Sequence, residues 1–78
     1  MSKVSLYDTM INMLDNIYRE LKAANAADKV LIALDDASTF IALAKDGGTG
    51  DVSIAIKILM AAGLIEEADA IFKIWWEA

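Results

Sequence analysis

The chain has 78 residues, a formal net charge of −5 and a hydrophobic fraction of 58%, against roughly 45–50% in an average soluble domain. One small domain is expected, carrying more apolar side chain than so short a chain hides easily, because only about 60–65% of the unfolded surface is buried at this size. The chain contains no Cys and no His, which excludes disulfides, thiolate metal centres and the usual neutral-pH general base.

Helical periodicity dominates the chain. The first helix is predicted over about residues 4–24. Tyr7, Met10, Ile11, Leu14, Ile17, Tyr18 and Leu21 recur at i, i+3, i+4 and i+7, which places them on one side. Asp8, Asn12, Asp15, Arg19 and Lys22 lie opposite. Ser5 with Asp8 resembles a capping box, and Ser2 is an alternative cap.

Asn25 marks the first break. It suits a left-handed helix end, or caps the second helix with Asp28 at its third position. That helix is predicted over about 27–45. Val30, Ala33, Leu34, Ala37, Phe40, Ile41 and Ala44 share its inner face; Asp28, Asp35, Asp36, Thr39 and Asp46 share the outer one. Asp46, Gly47, Gly48, Thr49, Gly50 and Asp51 then form the clearest loop, with three glycines within four residues.

Thr49 or Asp51 is expected to cap the third helix, about 51–62. Only Ser53 and Lys57 interrupt its apolar run, so burial on several sides is expected. Gly63 suits the position just after a helix end, with apolar Leu64 following. The fourth helix is predicted over about 64–77, with Leu64, Ile65, Ala68, Ile71, Phe72 and Trp75 as its stripe. Asp69 and Lys73 form a favourable i, i+4 pair. The fold class is therefore all-α: a bundle of four short helices, the third central and most buried, with neighbours roughly antiparallel.

Candidate chemistry is sparse. The glycine loop precedes a helix, where an anion could sit. It lacks the Lys of a phosphate-binding loop and follows no strand, and Asp46 and Asp51 would repel phosphate. Read as a calcium loop from Asp46, it places Gly48, Gly50, Asp51 and Lys57 where ligands and the turn glycine belong. The expected role is a connector. Asp35/Asp36 and Glu66/Glu67 are neighbours on helices, so each pair diverges by about 100° and converges on no substrate. Any acid–base group would have to be a carboxylate, Tyr7, Tyr18 or a Lys, and no cluster forms around one. No enzyme, cofactor or metal is expected.

Nucleic acid is an unexpected partner, because the seven Lys and Arg residues are scattered. No stretch reaches the roughly 18 apolar residues that span a bilayer. The first residues lack a secretory signal, so the expected compartment is the cytoplasm.

The apolar misfits are the most informative positions. Ile32 and Leu43 fall among charged residues of helix two. Ile74 lies between Glu67 and Ala70 on helix four. Trp75 and Trp76 point about 100° apart and cannot both centre on one core. Large apolar patches mark partner sites, and Trp is enriched at binding hot spots. Ile32, Leu43, Ile74, Trp75 and Trp76 are thus the interface candidates. The expected function is a non-catalytic protein-interaction module that associates with itself, as a dimer or higher. The alternative is a small acidic inhibitor or regulator, of the kind mobile elements encode, docking on a larger enzyme or membrane protein. A third is an engineered helical chain without native role, although its asparagines, methionines and modest Lys and Glu content look more natural than idealised.

Overall fold

In the computed structural model the chain forms four α-helices: α1 (Lys3–Ala23), α2 (Asp28–Lys45), α3 (Val52–Ala61) and α4 (Ile65–Trp76). The structure describes residues 3–47 and 51–76, with side chains from Leu6 onward. Each helix packs on its neighbours in sequence, and α4 returns to α1. At its start α1 meets the ends of both α2 and α4: Asp8 is paired with Lys45, and Tyr7 stacks on Trp75. Both neighbours of α1 therefore run antiparallel to it. The radius of gyration, 11.7 Å, is close to the roughly 11.5 Å expected of a compact chain this long.

Two of the three connections are made by one device. Asn25 adopts φ 61°, its amide donates to the Lys22 carbonyl, and the Ala26 amide donates to the Leu21 carbonyl at 2.9 Å. Gly63 repeats this at φ 83°: its amide donates to Met60, and that of Leu64 donates to Leu59. Both are Schellman ends, which satisfy the last carbonyls of a helix through one left-handed residue. Asn25 thus ends α1 rather than capping α2, whose N-cap is Ala27 with no side-chain bond. Leu64 packs against the core, which supplies the apolar contact that accompanies this turn.

The other ends follow local chemistry. Asp51 caps α3 by accepting from the Ser53 amide at 2.8 Å. Thr49, the other expected cap, lies outside the described residues. Ser5 is not a cap, because α1 has already begun at Lys3; Ser2 lies outside the described residues.

The core is built from Met10, Leu14, Leu34, Ala37, Ile41, Val52, Ala55, Leu59, Ala68 and Ile71. Among the described residues it contains no buried polar side chain. In α3 the buried positions are Val52, Ala55 and Leu59, a larger share of its length than in any other helix. Enclosure is nevertheless incomplete. In a ring of four helices α3 has α2 and α4 as neighbours, so its outer side faces solvent and Met60 is 52% exposed.

Candidate functional site

The exposed side of α3 adjoins an exposed side of α4. Ile56 and Met60 are one turn apart on α3. Ile65, Ala68, Asp69 and Phe72 face them from α4. Together they line an open groove of about 220 Å³. Asp69 is its one charged member, and it is paired with Lys73 at 3.0 Å. Beyond the groove the Trp76 ring stacks on Phe72, with centroids 5.9 Å apart and planes 9° from parallel. Ile65 is 54% exposed, Phe72 45% and Trp76 75%. Four large apolar side chains thus share one continuous face.

Helical spacing explains why this face exists. On α4, Ala68, Ile71 and Trp75 cluster within about 60° and point inward. Ile65, Phe72 and Trp76 cluster within about 40°, centred roughly 90° away. The helix carries two apolar stripes, and a two-neighbour helix buries one. The expectation that Ile65 and Phe72 belong to the core stripe is therefore corrected. The signal is legible as a second i, i+7, i+11 series. It is hidden because the two stripes adjoin and read as one broad apolar side.

The sequence candidates divide. Trp76 is the exposed tryptophan. Trp75 is half-buried, packs against the core and stacks on Tyr7 with centroids 5.6 Å apart. Ile74 is also half-buried against the core. Ile32 and Leu43 are exposed, but eleven residues separate them, roughly 16 Å along the axis. Exposed Asp35, Asp36 and Thr39 lie between. Thr39 turns its hydroxyl onto the Asp35 carbonyl. The structure does not bring Ile32 and Leu43 together, and single exposed apolar residues are ordinary.

A larger depression runs between α1 and α2. One part, about 360 Å³, is lined by residues that include Asn12, Asp15, Tyr18, Asp35 and Ser38. A second part, about 350 Å³, is lined by Tyr18, Lys22, Asp28, Leu31, Ile32 and Asp35. Its polar groups are partly engaged: Asp15 is paired with Arg19 at 2.9 Å, and the Lys22 ammonium lies 5.9 Å from the Tyr18 ring centroid. In the 46–51 loop, Gly48, Thr49 and Gly50 lie outside the described residues, and the Asp51 carboxylate is engaged as a cap.

No protein-family model, curated protein or solved structure matches the chain. Among the described residues no helix is long and apolar enough to cross a membrane.

Proposed function

We propose that the chain is a non-catalytic protein-interaction module that associates with itself through the α3–α4 face. The observation that carries this reading is the continuity of Met60, Ile65, Phe72 and Trp76, each between 45% and 75% exposed. Apolar side chains grouped on one face lose unfavourable hydration when covered, and such patches mark partner surfaces. The groove is smaller than the roughly 300–1,000 Å³ of small-molecule sites. Its size and apolar lining suit a side chain of another protein. Sedimentation equilibrium from low micromolar to millimolar concentration tests the reading. The expected result is a reversible rise in mass that Phe72→Asp shifts to about thirtyfold higher concentration while the circular dichroism stays helical. A mass that stays monomeric throughout would sink it.

The α1–α2 depression favours a second reading, an acidic regulator that docks on a basic partner. Asp15, Asp28 and Asp35 line it, and the chain carries −5 overall. Opposite charge steers such encounters and makes them weaken as salt rises.

A further inference from the structure

We propose that two copies pair through α4 in antiparallel fashion, about a twofold axis level with Ile71, so that each Trp76 enters the α3–α4 groove of the other. This rests on the self-association reading and adds its geometry.

The first argument is area. Aromatic side chains carry roughly 150–250 Å² each and Met and Ile stand near the low end of that range, so the exposures of Met60, Ile65, Phe72 and Trp76 leave on the order of 450 Å² of apolar surface per copy. Two facing copies cover on the order of 900 Å². Their polar rims bring the contact to the roughly 1,000–1,200 Å² of a small specific interface. The predicted dimer is reversible and of modest affinity.

The second argument is shape. Trp76 has one ring face against Phe72 and remains 75% exposed. The groove, about 220 Å³ and almost wholly apolar in lining, takes a single aromatic side chain. With the axis level with Ile71, antiparallel pairing sets Trp76 level with Glu66 of the second copy. That level lies between the second copy's Ile65 and Asp69, within the groove. Interface hot spots are enriched in tryptophan and lie in well-packed, desolvated pockets.

The third argument is charge. Asp69 and Lys73 stand two residues either side of 71 and are paired within their own helix. In this register each Asp69 comes level with the second copy's Lys73, so each Asp69 carboxylate gains a second ammonium. A parallel twofold would carry these side chains to opposite flanks of the interface and offer no such pairing. Exposed pairs add little affinity, but complementary charge helps fix the register.

The chain contains no Cys, so single cysteines report the register directly. Ile65→Cys and Trp76→Cys are made separately and oxidised alone and as a mixture. Both positions are exposed, so neither change touches the core. Antiparallel pairing holds identical positions roughly 15–18 Å apart along the axis, beyond the 4.4–6.8 Å that a disulfide needs between Cα atoms. Position 65 lies beside position 76 of the second copy. The mixed dimer also keeps one intact Trp76–groove contact. The expected result is a mixed disulfide far exceeding either self-disulfide, and a dissociation constant about thirtyfold higher for Trp76→Ala. Self-disulfides equal to the mixed one would overturn the register. So would no mixed disulfide above an Ile32→Cys control. If that happens while the wild-type chain still sediments as a dimer, self-association stands and only this geometry falls. A wild-type chain that is monomeric at millimolar concentration removes both.

Discussion

The two sides of the bundle solve the same packing problem differently. On the α1–α2 side, two long helices lay one apolar stripe each against the core, and the groove outside them mixes the charged Asp15, Asp28, Asp35 and Lys22 with Ile11, Leu31 and Ile32. Water solvates its charged members, so less of its surface carries a hydration cost. On the α3–α4 side, two short helices carry more apolar residues than two neighbours can cover, and the groove outside them is lined almost wholly by carbon. The larger depression is thus the less interesting one. What distinguishes a candidate interface is the hydration cost of leaving it open, and cavity volume does not measure that.

Adjacent residues on α4 give the sharpest way to break this contrast. Ile71 is fully buried while Phe72 is 45% exposed. Ile71→Ala should cost about 2–5 kcal/mol through lost contacts and the cavity left behind. Phe72→Asp, measured by urea unfolding at low micromolar concentration, should cost less than about 1 kcal/mol. Equal costs would mean that the α3–α4 face is part of the core. Association should sort the same residues in reverse. Phe72→Asp should weaken it about thirtyfold, as expected of an interface anchor. Ile32→Lys and Leu43→Lys, exposed on α2 away from the α3–α4 face, should change it less than about twofold. A loss on changing Ile32 or Leu43 would move the interface to α2.

These contrasts also mark where the sequence is readable. Helices α1 and α2 alternate charged and apolar residues at clear helical spacing, so their inner faces follow from that spacing alone. Asn25 and Gly63 are residue types that tolerate positive φ, and both turns fall where those types stand. On α4 the spacing misplaces Ile65 and Phe72 for a definite reason. Periodicity reports that a residue is apolar and which way it points around its own axis. It does not report how many neighbours the helix has. Trp76 stands out because two consecutive tryptophans cannot share one inward direction. Ile65 and Phe72 sit beside inward residues and raise no such conflict. The same blindness makes α3 look enclosed, although its outer side carries the half-exposed Met60.

The hairpin turns allow a finer comparison. Gly63 has nothing within 4 Å of where a Cβ would stand, so Gly63→Ala meets no clash and is disfavoured through its φ of 83° alone. A destabilisation of about 1 kcal/mol is expected, read as a lower urea midpoint. Asn25→Gly, at the equivalent turn of the α1–α2 side, should stay within about 0.5 kcal/mol of wild type. There the relief of a left-handed non-glycine residue and the gain in unfolded-state freedom oppose each other. A cost several times larger at Gly63 would mean that the turn also positions the α3–α4 groove.

Salt separates the two readings of function. Two copies carrying −5 each repel at a distance, and added salt screens that repulsion. Self-association through an apolar face should tighten a few-fold, or hold steady, as sodium chloride rises. Docking on a basic partner through the α1–α2 carboxylates should weaken over the same range. Isothermal titration at several salt concentrations reads the sign directly.

The smallest expected effect belongs to the link between α1 and α2. The Lys45 ammonium donates to the Asp8 carboxylate. This hydrogen bond raises the Lys45 pKa above its ordinary value of 10.5; burial acts in the lowering direction, and the charges of Asp8 and Asp46 add to the rise. Folding therefore favours the protonated form. The pair's contribution is fully present below the unfolded-state value and is lost as pH rises through the higher folded-state value. Both partners are partly exposed, so the contribution is small. Lys45→Met keeps the apolar stem and removes the charge. Its urea midpoint should lie slightly below wild type at neutral pH. The gap should close in the alkaline window above 10.5, where wild-type Lys45 also becomes neutral. A gap of the same size there would mean that the charge of Lys45 is not its source, and the Asp8–Lys45 pair would then contribute nothing to holding α1 against α2.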